Sequence, residues 1–144
     1  MWQYETTAVW KGAKEGRLHA HGNPEISIAT PPDFGGPRNM WSPEDLLAGA
    51  VGSCLMTSAV FFLERAEVDL RSYTGTATGT MEKTKTGLAF TAVDTVITVT
   101  VGRKADVEAA RQAIKRAEAA CPVSHVLTCP VTVSINVGTC TEQQ

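Results

Sequence analysis

The sequence lacks the features that mark several common classes of protein. It has no basic excess, since 13 Lys and Arg against 15 Asp and Glu give a formal net charge of −2 at pH 7. This balance provides no positive footprint for the phosphates of DNA or RNA, so a nucleic-acid partner is not expected. Repeats and low-complexity tracts are also missing. A chain of 144 residues with this composition is expected to form a single domain over residues 1–144.

The start of the chain lacks a basic segment and an apolar run, as "MWQYE" shows. A secretory signal is therefore not expected, and a cytoplasmic location follows, where thiols are normally kept reduced. The four cysteines contain no CxxC pair, which disfavours a zinc finger or a thioredoxin-type motif. Cysteines of this kind in a reducing compartment point to redox chemistry more than to a framework of structural disulfides.

A long helix is the clearest element that the sequence does contain. Residues 46–63, "LLAGAVGSCLMTSAVFFL", carry no charge, which is near the lower limit for a membrane span. Small and polar residues interrupt the segment, so we interpret it as the buried central helix of a protein that is not membrane-bound. Ser42 is a good N-cap, Pro43 suits the first position, and Asp45 completes a box-like pattern. Because a sheet of this size covers such a helix poorly, a second copy of the chain is expected to cover the rest.

The remaining pattern predicts an α+β fold. Alternating residues predict strands in the first thirty residues, near 68–82 and 88–102, and at 129–137. Residues 84–87 form the expected hairpin turn, and residues 106–120 carry an apolar stripe typical of a helix. The segment "PVSHVL" suits a short helix, and residues 31–41 form a loop rich in proline and glycine. Long blocks of strands on either side of helices favour α+β over a doubly wound sheet.

Two cysteines are placed where they could act together. Cys121 continues the inward face of the second helix, and Cys54 lies in the middle of the first helix after the small residues "GAVGS". A buried cysteine is often only a small hydrophobic residue, and for Cys54 alone that interpretation would lead. If the two meet, however, one thiolate can attack a peroxide bond and become a sulfenic acid. The other thiol then condenses with it to a disulfide.

An attacking thiolate needs a nearby cation or a helix N-terminus. The predicted first helix places no charge within one turn of Cys54, so the cation must come from elsewhere. Arg38 and Arg17 are the first candidates, with Lys14 and His125 behind them. Glu44 could orient such an arginine through a bidentate pair, although it lies ten residues from Cys54 and cannot touch it within one straight helix.

The two cysteine segments resemble a known family. "SPEDLLAGAVGSC" (42–54) and "CPVSHVL" (121–127) are similar to the two cysteine motifs of the OsmC/Ohr family of thiol-dependent hydroperoxide reductases. The layout of strands and helices between them matches as well, so the resemblance covers nearly the whole chain. Residues 31–46, "PPDFGGPRNMWSPEDL", look like a less characterised OsmC-like subgroup.

The resemblance implies an OsmC-like fold of antiparallel strands around the long helix, in an intertwined homodimer with two sites at the subunit interface. Cys54 would correspond to the peroxidatic cysteine, Cys121 to the resolving cysteine and Glu44 to the family's glutamate. Arg38 is favoured as the family's arginine, because the resemblance to OsmC-type members implies an arginine in the loop ahead of the helix. In Ohr-type members the arginine lies in an earlier turn, where this chain has Lys14, with Arg17 just after it, and lysine lacks the planar fork of arginine. Hydroperoxides would be the substrates and a dihydrolipoamide-like dithiol or a small thiol the reductant, with no metal or organic cofactor.

Several residues and two other functions stay open. His19 and His21 could form half of a metal site, but without a third ligand a solvated strand face is favoured. His125 could tune Cys121 or lie on the surface, Cys129 suits packing, and Cys140 suits an exposed tail. The alternatives to a peroxidase are an OsmC-fold protein that binds apolar ligands and a structural stress protein whose cysteines only pack.

Overall fold

The structure is a computed structural model that describes residues 1–140. These residues divide into two compact units, one of residues 1–47 and one that starts at Ala48. Each unit contains one three-stranded sheet, and the two main helices complete a mixed α+β fold. The α+β class expected from the sequence is confirmed. That the whole chain acts as one domain stays a prediction.

The first unit is a meander of three antiparallel strands, β1 (Thr7–Gly12), β2 (Glu15–His19) and β3 (Ile26–Ala29). A short 3-10 turn, Pro32–Phe34, follows in the loop that leads to the first helix. This loop is fixed at two places. The Ala29 and Trp41 backbones pair beside β3, and the Lys14 ammonium donates a hydrogen bond of 2.8 Å to the Phe34 carbonyl.

Helix α1 (Pro43–Arg65) begins where the capping pattern predicts. The Ser42 hydroxyl accepts a hydrogen bond of 3.0 Å from the Asp45 N–H, and Asp45 Oδ2 accepts one of 3.0 Å from the Ser42 N–H. These reciprocal bonds satisfy two backbone donors that a helix start otherwise leaves unpaired. The expected N-cap at Ser42 is therefore confirmed, and the last helical residue is one short of the expected Ala66.

The second sheet consists of β4 (Leu70–Thr84), β5 (Gly87–Val101) and β6 (Val131–Thr139). Strands β4 and β5 form a long antiparallel hairpin that turns at residues 84–87, as the sequence predicts. Strand β6 pairs with β5 in parallel, with helix α2 (Val107–Ala120) in the connection between them. The expectation of an antiparallel sheet therefore fails at β6, because a strand–helix–strand connection returns the chain to the end at which β5 began.

The core of the second unit lies between its sheet and the two helices. Its fully buried members include Leu55 and Leu63 of α1, Ile97 of β5 and Ile114 of α2. Helix α2 behaves as its apolar stripe predicts, because Ala110, Ile114, Ala117 and Cys121 are all buried. Burying these side chains removes apolar surface from water, which is the main force that holds the unit together.

Helix α1 is only partly buried within the single chain. Only one stripe of it is covered by the described chain: Val51, Leu55, Ala59 and Leu63. Phe61 and Met56 on other faces are 51% and 41% exposed. Within residues 1–140, α1 is also the one helix long and apolar enough to cross a membrane, judged by length and composition alone. The single chain therefore leaves part of α1 uncovered, as the sequence analysis expects, and its cover by a second copy stays a prediction.

Candidate active site

Cys54 is positioned by the middle of α1. It is partly buried and packs against the core of the second unit. Two residues before it, Gly52 faces strand β4, where an added Cβ would lie 3.4 Å from the Ala77 side chain. The small residue therefore allows the helix to approach the sheet closely at the level of the thiol.

Cys121 is positioned by the end of α2. Its backbone is extended, with φ −68° and ψ 107°, so the helix stops there, and the side chain is completely buried. Pro122 follows and cannot continue the hydrogen-bond ladder of the helix. A short 3-10 turn, Ser124–Val126, then begins after Val123. The joint at Cys121 therefore combines the last inward-facing side chain of one helix with the first turn of the next.

The structure brings the two thiols together within one chain. Both cysteines are free, and the Cys54 thiol donates a hydrogen bond to the Cys121 sulfur. Their sequence separation of 67 residues is closed by the packing of α1 and α2 in a shared core. Two sulfurs in hydrogen-bond contact have no intervening side chain, which is the arrangement that condensation to a disulfide needs.

The surroundings make the two thiols unequal. Burial raises the pKa of the Cys54 thiol, and the hydrogen bond that it donates to Cys121 raises it further. The Val123 N–H and the Ser58 side chain oppose this shift of the Cys54 pKa only in part. In the isolated chain, the surroundings of Cys54 therefore favour the thiol over the thiolate.

Cys121 shows the opposite balance. Burial alone would raise the pKa of its thiol, but the hydrogen bonds that it accepts outweigh burial and lower the pKa below its ordinary value. The donors are the Ser124 hydroxyl, Cys54 and the N–H groups of Ser124 and Val123. Such donors stabilise the thiolate directly. The negative charge of the reduced pair therefore favours Cys121.

Ser124 is the contact that the sequence analysis did not predict. Its hydroxyl donates a hydrogen bond of 3.2 Å to Cys121 Sγ. The spacing Cys121–Ser124 equals that of a capping box, in which the side chain before a helical turn faces the third residue after it. This signal is present in "CPVS", but cysteine is not among the usual capping residues.

Glu44 and Arg38 belong to the first unit. Glu44 lies in the first turn of α1, and its Oε2 atom is buried without a hydrogen-bond partner in the part of the chain that is described. Arg38 is exposed in the loop before α1, and its guanidinium makes no ion pair or hydrogen bond with residues 1–140. The two side chains therefore do not pair with each other within one chain.

The other candidate cations of the first unit have partners. Lys14 donates to the Phe34 carbonyl, as described above. Arg17 donates to the Ser27 hydroxyl and forms an ion pair of 3.5 Å with Glu25. Of these three candidates, Arg38 is thus the one whose charged group has no hydrogen bond or ion pair with another described residue.

The remaining histidines and cysteines lie in different surroundings. His125 is exposed and lines a cleft of about 460 Å³ with Cys129 and Lys115, and it does not bond to Cys121. Cys129 is partly buried against the core, and Cys140 is exposed. His19 is partly buried and His21 is exposed. Among the described residues, no group of three or more His, Cys, Asp or Glu side chains is arranged to hold a metal ion.

Comparisons with known proteins agree with this architecture. The structure is similar to an OsmC-like protein of unknown function from Vibrio cholerae, with a TM-score of 0.86, 18% identity and coverage of 94% of this chain and 99% of that one. It is also similar to an organic hydroperoxide resistance protein from Elizabethkingia anophelis, with a TM-score of 0.72, 20% identity and coverage of 96% and 97%. A third similar structure is the organic hydroperoxide resistance protein OhrB of Bacillus subtilis, with a TM-score of 0.66, 18% identity and coverage of 94% of this chain and 98% of that one. A comparison with curated protein sequences finds no match.

The sequence itself provides the family assignment. The profile of OsmC-like proteins matches residues 36–136, which include Arg38, Glu44 and both cysteines of the contact pair. The fold and this match agree with one another, and the chain belongs to the OsmC-like protein family.

Proposed function

We propose that the protein is a thiol-dependent peroxidase that reduces organic hydroperoxides or hydrogen peroxide. The observation that carries the proposal is the hydrogen-bond contact between the free thiols of Cys54 and Cys121. Two of the similar structures are organic hydroperoxide resistance proteins, which agrees with this substrate class. A contact pair that only packed would have no need of the donors that surround Cys121.

The chemistry needs no metal and no organic cofactor. The Cys54 thiolate attacks the O–O bond of ROOH, the alcohol ROH leaves with a proton from solvent, and Cys54 becomes a sulfenic acid. The Cys121 thiolate then attacks the Cys54 sulfur, and hydroxide leaves and is protonated to water. A dithiol reduces the resulting disulfide and is itself oxidised to a disulfide. Two electrons pass from the dithiol to the peroxide in each cycle.

Attack by Cys54 requires a cation, because the surroundings of this residue in the isolated chain favour the thiol over the thiolate. We assign that role to Arg38, whose guanidinium has no other partner among the described residues. The buried and unpaired Oε2 atom of Glu44 supports this assignment, since a carboxylate oxygen without a partner is costly and a guanidinium fork would satisfy it. Because the two side chains do not pair within one chain, we propose that they pair in a homodimer.

The exposed faces of α1 support the homodimer. An apolar helix of 23 residues with one buried stripe leaves a large apolar surface in contact with water. Patches of this kind mark interfaces with proteins or membranes. Ser53, Thr57 and Ser58 lie along the same helix, so we propose a second copy of the chain as its cover, with no membrane involved.

The exposure of the two cysteines indicates which reductant can reach their disulfide. Cys121 is completely buried and Cys54 is partly exposed, so the disulfide offers one sulfur to a small attacking thiol. A dihydrolipoamide-like dithiol or another small thiol fits this access, whereas a folded thiol protein would need to approach more closely. We propose that the protein works in the reducing cytoplasm, which regenerates such thiols.

A peroxide-consumption assay with dihydrolipoamide tests the proposal. Wild type should consume cumene hydroperoxide over many turnovers, and Cys54→Ser should reduce the rate to that of the uncatalysed reaction. Cys121→Ser should lose turnover but retain the first reaction with the peroxide. Cys140→Ser is the matched control, because it removes an exposed thiol far from the pair in sequence, and its rate should equal that of wild type. A Cys54→Ser variant with the wild-type rate would refute the mechanism.

One observation supports a second candidate function, the binding of an apolar ligand. The first unit contains a cleft of about 460 Å³ whose lining includes Trp10, Val9 and Ile28. A co-purified lipid-like molecule, together with the absence of peroxide-driven disulfide between Cys54 and Cys121, would favour this function over the peroxidase.

A further inference from the structure

The thiol pair is held differently at its two ends. Cys54 donates its proton toward Cys121, and Cys121 receives donors from its own short turn. The Ser124 hydroxyl is the one side chain of that turn in contact with Cys121 Sγ, at 3.2 Å. His125, the neighbouring titratable residue, is exposed and makes no such contact. The Ser124 hydroxyl is therefore the hydrogen-bond donor of this turn that a substitution can remove.

We propose that Ser124 is a positioning residue that holds the negative charge of the reduced pair on Cys121. The hydroxyl donates to the sulfur as a thiolate, and the backbone N–H groups of Val123 and Ser124 complete the cradle. At the other end of the pair, the Ser58 hydroxyl forms a hydrogen bond to the Cys54 sulfur, which lowers the pKa of Cys54. This inference rests on the proposed function only in the steps that it assigns to Cys121.

A thiolate fixed on Cys121 has two uses in the cycle. In disulfide formation it is the attacking group: Cys121–S⁻ forms a bond to the Cys54 sulfur, the S–O bond of the sulfenic acid breaks, and hydroxide takes up a proton from solvent. In reduction it is the leaving group: a reductant thiolate RS⁻ bonds to Cys54, the S–S bond breaks, and Cys121 leaves as a thiolate. A thiol with a lower pKa leaves faster, so one hydrogen bond assists the reduction step.

Burial imposes the same direction on the reduction. Cys121 is 0% exposed, so the reductant cannot reach its sulfur, whereas Cys54 is partly exposed. The mixed disulfide therefore forms on Cys54, and Cys121 always departs toward Ser124. The Ser124 hydroxyl and the burial of Cys121 therefore favour the same direction of reduction, in which the reductant bonds to Cys54 and Cys121 is the leaving group.

The experiment compares serine variants in a protein with a single thiol. In the background Cys54→Ser, Cys129→Ser, Cys140→Ser, the ultraviolet absorbance of the thiolate reports the titration of Cys121 alone, without any peroxide. Ser124→Ala should raise the titration midpoint by about one pH unit, the size expected from loss of one hydrogen bond to a charged group. Ser58→Ala, the matched control on the Cys54 side, should leave the midpoint unchanged, and Ser124→Thr should restore it.

Two outcomes would overturn the inference: a midpoint that does not move in Ser124→Ala, or an equal shift in Ser58→Ala. Thermal unfolding of Ser124→Thr and Ser124→Ala shows that both variants are folded before they are compared. In the protein with all its cysteines, Ser124→Ala should also slow reduction of the preformed Cys54–Cys121 disulfide several-fold. Because the titration needs no hydroperoxide, its result is independent of whether the protein proves to be a peroxidase.

Discussion

Replacement of Phe61 by serine should weaken a homodimer that α1 holds together. Phe61 is 51% exposed in the single chain, although its ring packs edge-on against Phe62 and lies 5.5 Å from the Arg65 guanidinium. Full burial of a phenylalanine side chain stabilises by about 1.5–3 kcal/mol, so covering the exposed half contributes about 1 kcal/mol. A two-fold interface uses the residue twice, which gives about 2 kcal/mol and about a 30-fold weaker dimer.

The measurement is the dimer dissociation constant from a dilution series in the analytical ultracentrifuge. Leu88→Ser is the matched control, because Leu88 is 57% exposed but belongs to strand β5 beside the hairpin turn and not to α1. Thermal unfolding separates a weaker dimer from a damaged fold. A wild-type protein that is monomeric at all concentrations, or a Phe61→Ser variant with an unchanged dissociation constant, would refute the reasoning.

Three further predictions test the core, a buried hydroxyl and the assigned cation. Ile114→Ala should destabilise the fold by about 2–5 kcal/mol in urea unfolding, because it opens a cavity at a fully buried position. Arg116→Ala, at an exposed position of the same helix, should change the stability little, and equal effects of the two substitutions would contradict the assigned core. Burial raises the pKa of Tyr73 to about 12, so the stability that its protonated form contributes is present below pH 10 and lost as the pH rises to about 12. Tyr73→Phe should remove that loss, and it should not destabilise the protein at pH 7, because the hydroxyl has no hydrogen-bond partner within residues 1–140. The free energy of unfolding measured between pH 9 and 12 checks this, and a loss of stability in the variant as large as in wild type would contradict the account. Arg38→Lys should lower kcat/KM for the hydroperoxide about 10- to 100-fold while Arg17→Lys, already engaged by Glu25, should lower it less; the reverse order would move the assignment to Arg17.

Elements with a local cause could be predicted closely from the sequence. The start of α1 follows from the reciprocal contacts of Ser42 and Asp45, and the β4–β5 turn follows from the polar residues at 84–87 between two β-branched runs. The apolar stripe of α2 predicts its buried face, including Cys121. In each case, residues that are close in the chain decide the outcome.

Features that depend on distant partners could not be predicted in the same way. Alternation suggests a strand from Trp2, but β1 begins at Thr7, because its partner β2 ends at His19 and leaves the residues before Thr7 unpaired. Trp2 is 87% exposed, so the alternating pattern alone buries nothing there. The parallel pairing of β6 is likewise a consequence of tertiary packing.

The site divides along the same line. The two cysteines could be predicted as a pair from their motifs, but their hydrogen bond depends on how α1 and α2 pack. The unequal charge on the two sulfurs depends on the contact between Ser124 and Cys121. The sequence "CPVS" has the spacing for this contact, but capping propensities do not identify it because cysteine is not a usual capping residue. The roles assigned to Arg38 and Glu44 remain predictions of the family resemblance and of their unpaired groups.

The most direct test of the central claim is a single-turnover reaction followed by peptide mass mapping. Reduced protein is mixed with one equivalent of cumene hydroperoxide without reductant, alkylated in denaturant and digested. We expect one disulfide, between the peptides that carry Cys54 and Cys121, with Cys129 and Cys140 alkylated. Alkylation of all four thiols, or a disulfide that omits Cys54 or Cys121, would contradict the account.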